Sequence, residues 1–289
     1  MFDNIFAAIE KWMRELLTGM VESNMSTMFT DVNEKTSEIA AQVGRTPQNW
    51  NSSVFSMIQN LSESVVVPIA GIIITLVLCY ELISMLTERN NLHDVDTWMF
   101  FKYFVKAWVA IYLVSNTFTI TMAVFDVGQS VVNSASGIIN GETAIDVSSL
   151  SMQMQAAMAT MEIGELVLAL ETFLVSFCMK IMSVVITVIV YGRMIEIYLY
   201  TSLAPIPFAT MSNREWGHVG TNYFRGLFAL AFQAFLMMVC VAIYAALISS
   251  VRISSNMHSA LIGVAAYTVI LCFSLMKTGS LSKQIFGSH

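Results

Sequence analysis

Few residues in this chain have side chains that could do chemistry, and most of those stand inside apolar runs. Lys180 lies near the middle of a run from Gly164 to Tyr191 whose other charges are Glu165 and Glu171. An ammonium at mid-bilayer costs roughly 2.5–3.5 kcal/mol on insertion scales, so it should face protein or water and find a carboxylate. Glu171 is nine residues earlier, about half a helical revolution out of phase, so the two do not share a face. A partner on another helix or another subunit is required, and Glu81 is a candidate. Two readings of Lys180 stand: a structural ion pair, or a position lining a conduit built by several subunits. Arg193 and Glu196 follow at i,i+3, a spacing that lets them pair along one helix face. They serve either as an interfacial anchor or to fix a short helix against a conduit or a partner ATPase. Pro205 and Pro207 in Ala204-Pro205-Ile206-Pro207 lack a backbone N–H and stop a helix. They either end that short helix or hinge a gate. Asn116 and Gln233 are amides within apolar runs and read as inter-helix hydrogen bonders. Trp98, Trp108 and Trp216 lie near expected helix ends and read as interface anchors.

These residues do not assemble into a catalytic centre. The sequence has no GxSxG, HExxH, P-loop or dinucleotide fingerprint. Glu165 and Glu171 are six apart and near a membrane edge, which does not make a paired-carboxylate site. The four cysteines, Cys79, Cys178, Cys240 and Cys272, sit in apolar runs without CxxC spacing and read as buried hydrophobes. The four histidines, His93, His218, His258 and His289, are scattered. Met152, Met154, Met158 and Met161 fit an apolar helical stripe better than a metal site. No enzyme, cofactor or metal is expected. Net charge is -6, and no basic run suggests a nucleic-acid groove.

The elements that must position these residues are membrane helices. The chain has 289 residues, 56% of them hydrophobic and 12% charged, with mean hydropathy +0.68. Soluble domains carry about a quarter charged residues. The expected fold is all-α and polytopic, with about five transmembrane helices near 64–86, 98–125, 164–191, 222–249 and 257–276. Residues 193–204 are too short to cross and read as a re-entrant or interfacial half-helix. Residues 1–60 form an N-terminal segment outside the membrane. Its apolar residues Phe2, Ile5, Phe6, Ile9, Trp12, Met13, Leu16, Leu17 and Met20 have helical spacing, which predicts an amphipathic helix. Gly44-Arg45-Thr46-Pro47 breaks it, and 48–53 reads as a loop. Met1-Phe2-Asp3-Asn4 does not open as a secretory signal. Residues 61–289 form the transmembrane domain.

Charge sets the orientation. With the N-terminus outside, Arg89, Lys102, Lys106, Arg193, Arg214, Arg225, Lys277 and Lys283 are cytoplasmic. The outer set is Lys11, Arg14, Lys35, Arg45 and Arg252, mostly on the long N-terminal segment, which the positive-inside rule weighs little. The loop 126–162 has no lysine or arginine and falls outside. The N-terminus is therefore expected outside and the C-terminus in the cytoplasm.

From Tyr191 to about Ser249 this order of features resembles a known family. The residues are Arg193-Met-Ile-Glu196, then Leu203-Ala-Pro205-Ile-Pro207-Phe208-Ala209, Asn213-Arg-Glu-Trp216 and the long helix from Asn222. They resemble the TrbL/VirB-type polytopic inner-membrane subunit of type IV secretion systems, in the variant of Gram-positive conjugative elements. The resemblance implies a structural channel subunit of a conjugation apparatus in the cell membrane, helping DNA or a protein–DNA substrate across. The implied partners are other secretion-system membrane subunits and ATPases, further copies of the chain, the lipid bilayer and, transiently, DNA in transit. A small-molecule transporter is the alternative, though transporters show breaks in matching repeats and one break is evident here. A holin-like pore is the third reading.

Overall fold

Inside a bilayer a backbone must satisfy its own N–H and C=O groups, and helices do so within a single segment. The chain follows that rule. The computed structural model describes residues 2–87, 97–139, 152, 165–251 and 257–288. These are helical almost throughout, with no strand among the described residues. In order they form α1 (Phe2–Val43), α2 (Pro47–Trp50), α3 (Ser52–Leu61), a π-helical turn (Ser62–Val66), α4 (Val67–Thr87), α5 (Thr97–Ser115), α6 (Thr117–Ile139), α7 (Glu165–Ser202), α8 (Pro205–Thr210), α9 (Gly217–Ser250) and α10 (Met257–Ile285). Five stretches are long and apolar enough to cross a membrane: Ser52–Thr87, Thr97–Ser115, Ala169–Ser202, Gly217–Ser250 and His258–Ile285. This is a multi-pass membrane protein.

Several boundaries differ from the sequence expectation. The half-helix 193–204 is not a separate element, because α7 runs unbroken for 38 residues to Ser202. Helix α7 contains no proline, and its one glycine, Gly192, is too weak a breaker to stop it. The second span does not continue to 125. Asn116 Nδ2 donates to the Tyr112 carbonyl (2.9 Å), and Thr117 Oγ1 donates to the Leu113 and Val114 carbonyls (2.8 Å each). Helix α5 ends at Ser115 and α6 begins at Thr117, with the single residue Asn116 between them; the i→i−4 backbone bonds from Asn116 N to the Tyr112 carbonyl (3.1 Å) and from Ile120 N to the Asn116 carbonyl (3.0 Å) continue across it. The chain resumes as α6 and stays helical to Ile139, so the first part of the expected loop 126–162 is helix. Residues 140–164 other than Met152, and with them Met154, Met158 and Met161, lie outside the described residues, as do Arg89, His93, Arg252 and His289. The expected loop 48–53 is mostly helical too. Thr46 Oγ1 caps α2 through Asn49 N (3.3 Å), and Asn51 Oδ1 caps α3 through Val54 N (3.0 Å).

The chain divides into two compact units. Met1–Val43, Asn133–Val190 and Met237–Lys277 form one; Gly44–Val132, Tyr191–Leu236 and Thr278–His289 form the other. In the first, α1 buries Val21, Met25, Met28, Ile39 and Val43, a set at helical spacing. Lys35 on α1 pairs with Glu38 and donates to Thr187 Oγ1 on α7 at 3.3 Å. Tyr244 on α9 and Thr268 on α10 share a hydroxyl hydrogen bond of 2.8 Å.

In the second unit α8 packs against α4 and α5. Its Phe208 and Ala209 join Ala70, Ile74, Ala110, Val114 and Tyr223 in one core. A second core gathers Val124, Phe125, Met194, Ile197, Leu227 and Leu230. Small residues permit the close approach. A Cβ on Gly128 of α6 would stand 2.8 Å from the Ala231 carbonyl oxygen of α9.

Candidate functional site

In the second unit the polar residues gather around the end of α7. Helix α7 cannot pass Pro205, which occupies the first turn of α8 and is buried. The chain turns through Leu203 and Ala204, and a pair of tyrosines locks the turn. Tyr200 Oη donates to the Tyr223 carbonyl at 3.2 Å, and Tyr223 Oη donates to the Tyr200 carbonyl at 2.8 Å. Their rings stack 4.4 Å apart at 8°. On its other side α7 receives the α2–α3 connection: Tyr198 Oη donates to the Pro47 carbonyl at 2.6 Å, and Trp50 meets Tyr191 edge-on at 5.4 Å.

Arg193 and Glu196 do not pair with each other; each serves a different helix. Arg193 is buried, and its Nη2 donates to the Leu230 carbonyl of α9 at 3.4 Å. Glu196 accepts from Lys283 of α10 at 3.0 Å. One turn of α7 thus ties two neighbouring helices. Between α9 and α10, Gln233 Nε2 donates to Thr278 Oγ1 at 3.4 Å and Ser282 Oγ donates to the Ala229 carbonyl at 2.6 Å. Gln233 therefore bonds between helices, whereas the Asn116 amide stays on its own helix.

Beyond α8, Asn213 makes a tight turn by accepting from Glu215 N (2.7 Å) and Trp216 N (3.1 Å) through Oδ1. This turn faces the far part of α4. Tyr80 Oη donates to Glu215 at 3.0 Å, and the Tyr80 and Trp216 rings stack 6.0 Å apart. Glu81 is held by Lys106 of α5 at 2.5 Å. Together Tyr80, Glu81, Ser84, Lys106, Asn213 and Arg214 line an open pocket of about 420 Å³. Trp98 stacks on Phe101, with Lys102 Nζ 5.7 Å from its ring, and Trp108 is exposed and stacks on Tyr112.

In the first unit Glu171 pairs with His258 of α10. Lys180 is exposed and takes part in no ion pair formed by the described residues. Glu81 is not its partner, because Lys106 holds that carboxylate. Among the described residues no three His, Cys, Asp or Glu side chains come together as a metal site would need.

Chemically, then, the described polar groups join helices and line a mixed-charge pocket. Sequence reading misses Lys283 and His258 as ion-pair partners and the Tyr200–Tyr223 clasp. The first two lie 87 positions from their partners, too far for periodicity to connect. A tyrosine on each side of the double proline is the available signal for the clasp.

The family model described as TrbL/VirB6 plasmid conjugal transfer like protein matches residues 32–205. That match includes Lys180, Arg193, Glu196 and Pro205 and ends before the Asn213 turn and α9. No curated protein and no solved structure matches the chain.

Proposed function

The chain belongs to the TrbL/VirB6 plasmid conjugal transfer like family, and from that premise we propose that it is a structural subunit of the channel through which a conjugation apparatus moves DNA across the cell membrane. Membership makes the protein a component of conjugal transfer machinery that works with other components of that machinery. The channel role is the finer step. It is carried by one combination: the family match spans more than half of the chain, and five helices are suited to crossing the membrane. Contacts such as Arg193 to the Leu230 carbonyl and Glu196 to Lys283 support a scaffold of joined helices, and we assign no catalytic step to it. The proposed partners are further envelope subunits, the secretion ATPases and additional copies of the chain. In the proposed orientation the N-terminus is outside and the C-terminus cytoplasmic, following the lysine and arginine distribution.

An in-frame deletion tests the reading. Transfer frequency should fall to background while growth is unchanged, and a copy supplied in trans should restore it. Mating at the parental frequency would contradict the proposal. So would uptake of a small solute by the purified chain in liposomes.

A further inference from the structure

Most charge in the candidate spans is accounted for within the chain. Glu81 is paired with Lys106, Glu171 with His258 and Glu196 with Lys283. Arg193 is buried against the Leu230 carbonyl. Glu63 accepts from Gln59 Nε2 at 2.9 Å and stands at the edge of the charge-free run 64–80. Lys102, Arg225 and Lys277 lie beside the ends of apolar runs, where a long stem can reach the headgroups.

Lys180 has neither arrangement. It is nine residues from Glu171, about 14 Å at roughly 1.5 Å per residue. The Glu171–His258 pair marks one end of the charge-free run 259–276 on α10. Two residues past Lys180, the Met182 carbonyl accepts from the Cys272 thiol at 3.8 Å, well inside that run. The ammonium therefore stands in the interior of a layer about 30 Å thick, too deep for a four-carbon stem to reach either edge. Phe173, Phe177 and Val184, at i−7, i−3 and i+4, share its face and are exposed. The result is an outward apolar ridge carrying one positive charge. Acyl chains cannot stabilise that charge, and a carboxylate at the same depth can.

We infer that the Phe173–Phe177–Lys180–Val184 ridge of α7 docks a transmembrane helix of a different subunit, one that bears an aspartate or glutamate at mid-depth. A second copy of this chain does not supply that group. Its own carboxylates in the spans are bonded to Lys106, His258 and Lys283 or, for Glu63, stand at a membrane edge; Asp126 lies on α6, outside the five spans, and Asp31 of α1 lines an inner pocket with Lys35, Met179 and Ser183. The inference rests on the proposed function only for where the partner is sought, among the apparatus subunits.

The test places a photoreactive amino acid at Phe177 or Val184 of the full chain in donor-cell membranes. The expected result is an adduct with one other apparatus subunit that has an acidic residue within a span. Lys180→Glu should reduce that adduct about tenfold or more, since like charges across an interface repel. Lys180→Arg should retain it. Changing the partner's acidic residue to lysine should restore the adduct to Lys180→Glu. An adduct of twice the chain's own mass, an adduct with lipid alone, or full retention in Lys180→Glu would overturn the inference. So would labelling of Lys180→Cys, in a chain without other cysteines, by a membrane-impermeant thiol reagent, because that result makes the position water-lined. The adduct is read without mating. If the deletion strain mates normally while the adduct and its charge-swap rescue hold, the docking stands and the channel reading falls.

Discussion

Arg193 and Glu196 stand one turn apart, yet one is buried against a backbone carbonyl and the other meets a half-exposed lysine. The two should respond differently to mutation. Arg193 has no carboxylate bonded to it and fills space with its stem, so volume matters more than charge. Arg193→Met should keep stability within about 1 kcal/mol, as replacing buried ions with apolar groups of similar size often does. Arg193→Ala should lose about 2–3 kcal/mol through the cavity it leaves. Unfolding in detergent compares the two. The Glu196–Lys283 side chains are 43% and 45% exposed, which places the pair among those worth about 0.2–1 kcal/mol in a double-mutant cycle. Salt should weaken the coupling further; a coupling unchanged in concentrated salt would mean the pair is sheltered. At Tyr223, truncation to phenylalanine removes one of two reciprocal bonds and should cost about 1 kcal/mol. Tyr200→Phe should cost about the same.

At the scale of elements, the turn from α7 through α8 to α9 is held by close packing as well as by the prolines. A Cβ on Gly220 would lie 2.5 Å from the Pro207 carbonyl oxygen, a backbone atom that cannot swing aside. Gly220→Ala should destabilise the second unit by about 1–3 kcal/mol, measurable as a lower detergent unfolding midpoint. Little change would mean that the α8–α9 approach is looser than described. The five spans were legible in the sequence because a long run without charge is a local property. Ser64–Tyr80 and Gly226–Val251 announce themselves that way. The end of α7 was less legible. Arg193 and Glu196 look like a boundary in one dimension, but α9 and α10 engage both side chains and the helix continues past them. The stop at Ser115 was hidden for another reason. It is a one-residue interruption at Asn116 across which backbone hydrogen bonds continue, and hydropathy does not register so small a change. Of the candidate site, the residue types were legible and their partners were not: Lys106 for Glu81 and His258 for Glu171 are contacts between distant segments.

For the whole molecule, the resemblance rests on residues 191 to about 249, whereas the family match covers 32–205. The two overlap only around Arg193, Glu196 and the first proline. The matched region extends from the end of α1 to Pro205 at the start of α8, so most of it lies outside the stretch that carries the resemblance. The proposed topology makes its own prediction. A reporter active only outside the cell should be active when fused within 140–151 and inactive when fused after Ser288. Activity at the C-terminal fusion would reverse the orientation and place the Asn213 turn outside.

The proposed role as a channel subunit brings this chain close to the DNA in transit. Formaldehyde crosslinking during active transfer, followed by recovery of the protein and amplification of the moving strand, tests it most directly. The strand should be recovered with this chain in mating donors and lost when the secretion ATPase is inactivated. Recovery with the ATPase and other envelope subunits, but never with this chain, would contradict it.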